Sequence, residues 1–158
     1  MISNIDIADL IQKKGLPISA VISKDQIDQL TEIPDRSAVI VNLEDDTDSK
    51  GRPLPGSHWT CLWFEGTQPI YFDSFGLPPP QSVDTFLREQ FKKPYAYTGK
   101  QIQSIRNSLC GYYVMGFIHW MHQNGQHTPV RRFEAFLDQF EEDPVRNSGV
   151  LQQILDDL

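Results

Sequence analysis

The chain has 158 residues, 39% of them hydrophobic and 22% charged, as in one soluble globular domain, and we expect a single domain over residues 1–158. A net charge of -7 and only two cysteines argue against an intrinsic nucleic-acid footprint and against a disulfide framework. No apolar run approaches a membrane span and the N-terminus lacks a secretory signal, so we expect an intracellular protein that is not secreted and has no membrane partner.

Helix and strand signals are mixed along the chain, without internal repeats. In order, they predict a helix at residues 5–11, a helix with a capping box at 23–30, a strand at 38–43, a loop at 44–56, a hairpin at 58–64 and 70–73, a helix at 82–91, strand segments at 95–98 and 101–103, and helices at 110–123, 129–140 and 148–158. The helix at 110–123 is apolar nearly all round, as a helix buried in the centre of a domain should be. The predicted fold class is α+β, with a mixed or antiparallel central sheet packed against a buried central helix.

The most informative residue is Cys110, which lies where a polar loop turns into this apolar helix. A thiolate at a helix N-terminus is stabilised by the exposed backbone N–H groups and by the positive end of the helix dipole. Upstream, His58 and Asp73 supply a base and a carboxylate that can orient it. These three side chains are the set that an acyl-transfer nucleophile needs.

The predicted hairpin brings the base and the carboxylate within reach of each other. If its turn is centred near Gly66 and Thr67, Thr60 lies opposite Asp73, and His58 lies on the same face as Thr60. His58 and Asp73 are then diagonal neighbours, about 7–8 Å apart between backbones. A slip of one residue in the register would place the two side chains on opposite faces of the sheet.

Taken singly, each of these residues also has an ordinary structural explanation. A lone cysteine at a helix start, such as Cys110, is more often packed in the core than catalytic. His58 alone fits a strand surface or a hydrogen-bonded core position, and Asp73 alone is a natural turn residue. A further candidate is the side-chain amide of Gln103, which by itself carries no functional signal. Gln101 is an alternative amide, but its spacing to Cys110 fits the catalytic interpretation less well. The catalytic interpretation depends on the combination and its order.

Other candidates for chemistry are weaker. Cys61 is an odd number of positions from His58 along the strand, so it points to the other face and is expected to be a small buried hydrophobe. His119 and His122 are three apart on a helix, but no further ligand is evident and packing explains them better. Residues 45–48 resemble a calcium loop only superficially because the distal glutamate is missing. We therefore expect no metal and no cofactor.

The spacing of these residues resembles that of the adenovirus-type and Ulp1-like cysteine peptidases. The resemblance rests on His58-Trp59, then Asp73–Gly76, then Gln103 seven residues before Cys110-Gly111, with further similarity at Val39–Asn42 and at Asn107-Ser108. It covers roughly residues 38 to 120. In size and layout the chain is most similar to the maturation proteases of virophages and Polinton-type elements.

The resemblance implies a papain-like or adenain-like architecture and a role for each matched residue. Cys110 would be the nucleophile, His58 the base, and Asp73 the group that orients His58. The Gln103 amide and the Cys110 backbone N–H would stabilise the oxyanion. Substrate-binding positions implied in this way are Trp59 as a wall beside the imidazole, Gly111 as room for the substrate backbone, and Asn42.

The function implied is that of a cysteine endopeptidase that processes viral or capsid precursor proteins at glycine-containing sites during virion maturation. Its partners would be those precursors, and its location the host cytoplasm or viral factory, with packaging in the virion in addition. The adenoviral enzyme is assisted by a disulfide-linked peptide and by DNA. Here Cys61 is the only spare thiol and the chain is acidic, so both modes of activation are in doubt and any peptide activator is unknown.

The alternative functions are an isopeptidase for a ubiquitin-like modifier, an acyltransferase with the same triad, and a binding module without activity.

Overall fold

A computed structural model describes residues 9, 15–44, 49–52, 58–105, 108–123, 125 and 127–157. The strands are β1 (Ile18–Ser23), β2 (Ser37–Asn42), β3 (Trp59–Phe64), β4 (Ile70–Phe72) and β5 (Ala96–Tyr97). The α-helices are α1 (Gln81–Gln90), α2 (Cys110–Gln123), α3 (Pro129–Asp138) and α4 (Asn147–Asp156), with 3-10 helices at Lys24–Gln29 and Pro144–Arg146. Among these residues, no helix is both long and apolar enough to cross a membrane.

The five strands form one mixed sheet in the order β1-β2-β3-β4-β5. In its centre, β3 runs antiparallel to both β2 and β4, while at the edges β1 runs parallel to β2 and β5 runs parallel to β4. The predicted α+β class with a mixed sheet is therefore confirmed. Strand β1 was not predicted, because residues 18–22 fall between two predicted helices.

The sheet is covered on both faces, which makes the domain three layers deep. Alternate residues of each central strand belong to two separate hydrophobic clusters, as the two-residue period of a strand requires. The first cluster joins Ala38, Ile40, Trp59, Cys61, Trp63, Ile70 and Phe72 to α2, α3 and α4, and the second joins Val39, Val41, Leu62, Phe64 and Tyr71 to α1 and the first 3-10 helix. The continuous apolar run of β2 follows from this, since both of its faces are buried.

Helix α2 occupies the centre of the first cluster. Its observed bounds, Cys110–Gln123, agree with the prediction, and ten of its residues are buried. The Phe117 ring stacks on the Phe72 ring of β4, with centroids 4.7 Å apart, so the helix is held directly against the middle of the sheet. Burying one such aromatic side chain contributes roughly 1.5–3 kcal/mol. This packing fixes where the N-terminus of α2, and therefore Cys110, lies.

Local signals located most of the remaining elements. The capping box is present, with the Ser23 N–H donating to Gln26 Oε1 at 3.1 Å, but it opens a 3-10 helix. The Thr128 side chain caps α3 by accepting the Arg131 N–H. The strand expected at residues 101–103 is wrong, because the N–H groups of Ile102 and Gln103 donate to the Ser74 carbonyl, which lies in a turn and not in a strand. The predicted helix at 5–11 and most of the 44–56 loop lie outside the described residues.

A buried ion pair that no sequence signal indicated connects α3 to the β3–β4 hairpin. The Arg132 guanidinium is 1% exposed and meets the Glu65 carboxylate in a two-point contact, Nη2–Oε1 2.6 Å and Nη1–Oε2 3.0 Å. It also donates to the carbonyls of His127 and Met121. Arg36 adds a second cation at 3.0 Å from Glu65. The pair therefore anchors the helical layer to one end of the sheet.

Candidate active site

His58 and Asp73 lie at the same end of the sheet. His58 comes immediately before β3 and Asp73 immediately after β4, and these strands are antiparallel. Cys61 pairs with Phe72 and Trp63 with Ile70, which is the register predicted to set Thr60 opposite Asp73. The hairpin therefore brings together an imidazole and a carboxylate that are 15 residues apart in the sequence.

The Asp73 carboxylate holds the imidazole through its Nε2 atom. Asp73 Oδ1 lies 2.9 Å from His58 Nε2, the Asp73 side chain is fully buried, and the His58 side chain is 17% exposed. Oδ1 also accepts the Phe75 N–H at 2.8 Å, and the Asp73 N–H donates to Thr98 Oγ1 at 2.9 Å. The other oxygen, Oδ2, is buried and has no hydrogen-bond partner among the described residues. The adjacent imidazolium is therefore the counter-charge that compensates the buried carboxylate.

Cys110 completes the set from the first turn of α2. It is 3% exposed, so the thiol is recessed below the surface. Its sulfur accepts hydrogen bonds from the His58 imidazole and from the backbone N–H groups of Trp59 and Gly111. Because Asp73 engages Nε2, the nitrogen that faces the sulfur is Nδ1. The sulfur therefore has a base on one side and main-chain donors on the other.

These contacts favour the charged form of both groups, the imidazolium of His58 and the thiolate of Cys110. Burial by itself lowers the pKa of His58, but the hydrogen bonds and charges of Asp73 and Cys110 outweigh it and raise the pKa to about 9. Burial raises the pKa of Cys110, but the hydrogen bond from His58, the Trp59 N–H and the imidazolium charge bring it below its usual value. The arrangement therefore favours a thiolate–imidazolium pair near neutral pH.

Cys61 is an internal comparison for the reactivity of a buried thiol. It is 0% exposed in β3, and burial alone raises its pKa well above the usual value. It faces the core with Trp59 and Trp63, as predicted from its odd spacing from His58. Burial without a base leaves an inert thiol, and the His58 contact is what distinguishes Cys110.

Each residue of the turn Asp73–Gly76 makes a contact that supports the site. The Phe75 ring stacks on the His58 imidazole, with centroids 4.7 Å apart and planes 22° apart. Gly76 has a φ of 78°, and a Cβ there would lie 2.6 Å from the Lys100 carbonyl carbon. Only glycine permits this close approach. The turn is thereby pressed against the segment that carries Gln103.

Gln103 is fully buried beside this turn. Its side-chain Oε1 accepts a hydrogen bond from Ser74 Oγ at 2.5 Å, and its N–H donates to the Ser74 carbonyl at 3.0 Å. Gln101, the alternative amide, is exposed and donates to the Gln103 carbonyl at 3.0 Å. Of the two glutamines, Gln103 is the one that the fold connects to the carboxylate turn. Its role as an oxyanion donor remains a prediction.

The residues predicted to bind substrate are all buried. The Trp59 indole is 0% exposed and packs in the first cluster, because the strand turns it toward α2. The group of Trp59 that donates to the Cys110 sulfur is its backbone N–H. Asn42 is 5% exposed and its Oδ1 accepts the Glu44 N–H at 3.0 Å. Substrate contacts of Trp59, Gly111 and Asn42 remain predictions.

Three site residues were missed from the sequence. Ser74 and Phe75 lie inside the motif that carried the resemblance, so their position was a usable signal. Thr98 is 25 residues from Asp73 and gave no such signal.

His119, on α2, is 9% exposed and burial lowers its pKa. In the part of the chain that is described, no group of three or more His, Cys, Asp or Glu side chains could hold a metal ion.

Three solved structures match this chain at low sequence identity. The central domain of the uncharacterized Lpg1148 protein from Legionella pneumophila has a TM-score of 0.53 at 13% identity over 99% of this chain and 95% of that one. The ASFV pS273R protease gives 0.48 at 14% identity, over 85% of this chain and 56% of that one, so the chain spans little more than half of its length. An AvrA variant with IP6 and CoA gives 0.49 at 15% identity, over 95% and 66%. No protein-family model and no curated protein matches the sequence.

The likeness to the Legionella domain covers nearly all of both chains, and at this identity it shows a shared fold alone. A fold by itself does not specify a reaction. The chemistry of the chain must therefore be argued from the geometry of His58, Asp73 and Cys110.

Proposed function

We propose that this chain is a cysteine endopeptidase with Cys110 as the nucleophile. The observation that carries the proposal is the chain of contacts from the buried Asp73 carboxylate through His58 to the Cys110 sulfur at the start of α2. A core cysteine does not need a base, a carboxylate behind that base and two main-chain donors. Cys61 lies in the same hydrophobic cluster and its raised pKa has burial as its sole cause.

The first half of the proposed reaction is acylation. The Cys110 thiolate attacks the carbonyl carbon of the scissile peptide, a C–S bond forms, and the carbonyl electrons move to oxygen. The His58 imidazolium then gives its proton to the leaving amine as the C–N bond breaks, which leaves a thioester and a neutral imidazole. Asp73 keeps the imidazole in one orientation and stabilises its charged form throughout.

The second half is hydrolysis of the thioester. Neutral His58 takes a proton from a water molecule as its oxygen attacks the carbonyl carbon, and the C–S bond then breaks. The carboxyl product leaves, and the thiolate–imidazolium pair is restored. In both halves the negative oxygen needs donors, and we assign this role to the Gln103 amide and the Cys110 N–H.

The narrower form of the proposal concerns the substrate. We propose that protein precursors, viral or capsid proteins among them, are cleaved at glycine-containing sites. Support for this comes from the sequence resemblance, and the recessed position of Cys110 agrees with a substrate that is small beside the scissile bond. A thiol that is only 3% exposed is reached more easily by a glycine backbone than by a bulky side chain.

The test is incubation of the purified chain with a library of Gly-Gly-containing peptides, with Cys110→Ala and Cys61→Ala as paired variants. We expect cleavage by the wild type and by Cys61→Ala, and none by Cys110→Ala. Mass spectrometry of the products identifies the bond that is cut. Absence of cleavage in all three, together with acetyl transfer from acetyl-CoA to a lysine peptide, would replace the peptidase with an acyltransferase.

A further inference from the structure

Ser74 is the residue that connects the carboxylate turn to Gln103. Its hydroxyl donates to Gln103 Oε1 at 2.5 Å, and both side chains are 0% exposed. Its carbonyl accepts the N–H groups of Ile102 and Gln103, at 2.9 and 3.0 Å. One serine therefore binds both the main chain and the side-chain oxygen of the glutamine.

This contact selects one of the two orientations of a planar amide. The end of the amide that carries Oε1 accepts the serine proton, so the opposite end, Nε2, is the one that can donate to another group. Rotating the amide would present Oε1, an acceptor, in the place of a donor. A developing oxyanion is stabilised by the first orientation and repelled by the second.

The segment that carries Gln103 is also held from the helical side. The Ile102 carbonyl accepts the Tyr113 hydroxyl at 3.3 Å and Asn147 Nδ2 at 3.0 Å. Tyr113 lies one turn after Cys110 in α2. Ser74 thus orients an amide within a hydrogen-bonded unit that already includes the start of the nucleophile helix.

We propose that Ser74 is a positioning residue that orients the Gln103 amide so that its N–H₂ group faces the oxyanion formed during acyl transfer at Cys110. The proposal rests on the proposed function, because it requires acyl transfer to this thiol. The proposed role of Ser74 involves no contact with the thiol or the substrate, because Ser74 acts through Gln103. Removing its hydroxyl should therefore slow only those reactions of Cys110 that generate an oxyanion.

Two reagents separate the two kinds of reaction. With p-nitrophenyl acetate, the thiolate attacks the ester carbonyl, an oxyanion forms, the C–O bond breaks and p-nitrophenolate leaves with its electron pair. With iodoacetamide, the thiolate displaces iodide from a saturated carbon, and no oxyanion forms. The first reaction is followed by nitrophenolate absorbance and the second by peptide mass spectrometry of Cys110.

We expect Ser74→Ala to slow acylation by roughly 10- to 100-fold, somewhat less than the loss of an entire oxyanion donor. Its iodoacetamide rate should equal that of the wild type. Ser37→Ala is the matched control, since Ser37 is also buried and donates to a carbonyl, that of Pro34 at 2.6 Å, at the start of β2. That variant should leave both rates unchanged.

A double-mutant cycle tests whether Ser74 acts through Gln103. Gln103→Ala should slow acylation more than Ser74→Ala, and the double variant should be no slower than Gln103→Ala. Ser74→Cys keeps the size and a weaker donor, so its acylation rate should fall between those of wild type and Ser74→Ala. This variant also covers the case in which Ser74→Ala folds poorly.

Three results would overturn the proposal: acylation of Ser74→Ala at the wild-type rate, an equal loss of both reactions, or an undiminished loss in the Gln103→Ala background. The ester needs no peptide recognition, so a wild type that is acylated but cleaves no peptide would refute the endopeptidase and leave the Ser74 test intact. A wild type acylated no faster than Cys110→Ala would refute both.

Discussion

Replacing His58 by alanine should strongly reduce the reactivity of Cys110 at neutral pH. The His58 pKa rises from 6.5 to about 9 in the fold, and each pKa unit corresponds to about 1.4 kcal/mol. The imidazolium is therefore stabilised by about 3 kcal/mol net, because the hydrogen bonds and charges of Asp73 and Cys110 outweigh the burial penalty. The coupling is reciprocal, so the same contact with His58 lowers the pKa of the Cys110 thiol.

The assay is the rate of iodoacetamide alkylation of Cys110 as a function of pH, read peptide by peptide so that Cys61 is scored separately. In the wild type the rate should rise at a pH below that of a free thiol. In His58→Ala burial remains and the imidazolium is gone, so the rise should move up in pH, with roughly 10- to 100-fold less alkylation at pH 7. His122→Ala removes an exposed imidazole from the same helix and should change nothing. Superimposable profiles for wild type and His58→Ala would refute the ion pair.

Three further outcomes follow from the described contacts. Gly76→Ala should destabilise the fold by about 1–3 kcal/mol in chemical denaturation, because its φ is positive and its Cβ would meet the Lys100 backbone, and an unchanged midpoint would contradict this. Glu65→Ala should lower the free energy of unfolding by about 3–5 kcal/mol, since it leaves the buried Arg132 charge unpaired, and Glu65→Ala with Arg132→Met should recover part of the loss. The His58 pKa is raised, so its stabilisation is complete below pH 6.5 and lost as the pH rises through about 9, and the stability difference between wild type and His58→Gln should shrink over that window in thermal melts.

The parts of the site that could be predicted depend on short separations along the chain. The hairpin register follows from turn position and alternation, so the proximity of His58 to Asp73 could be predicted from the local sequence alone. The bounds of α2 follow from a continuous apolar run that begins at Cys110. These are local regularities of the backbone, so a short stretch of sequence is enough to predict them.

Other features belong to the packing between distant segments. Three hydrogen bonds join residues that are 25, 29 and 67 positions apart: the Asp73 N–H to Thr98, Ser74 to the Gln103 amide, and Arg132 to Glu65. No period or propensity encodes such pairs, because each depends on how layers of the fold are stacked. The parallel strand β1 is another instance, since its partner β2 follows only after a 3-10 helix and a loop.

The linear chain by itself determined the order of the chemical groups, the helix that presents Cys110 and the hairpin that joins base to carboxylate, because 2.0- and 3.6-residue periods are properties of the backbone. Only the tertiary structure decided that Trp59 is sealed in the core, that Gln103 and not Gln101 is buried beside the turn, and that one of two thiols meets a base. The reason is physical: burial and hydrogen-bond partnership are set by which surfaces meet, and surfaces meet only when the layers pack.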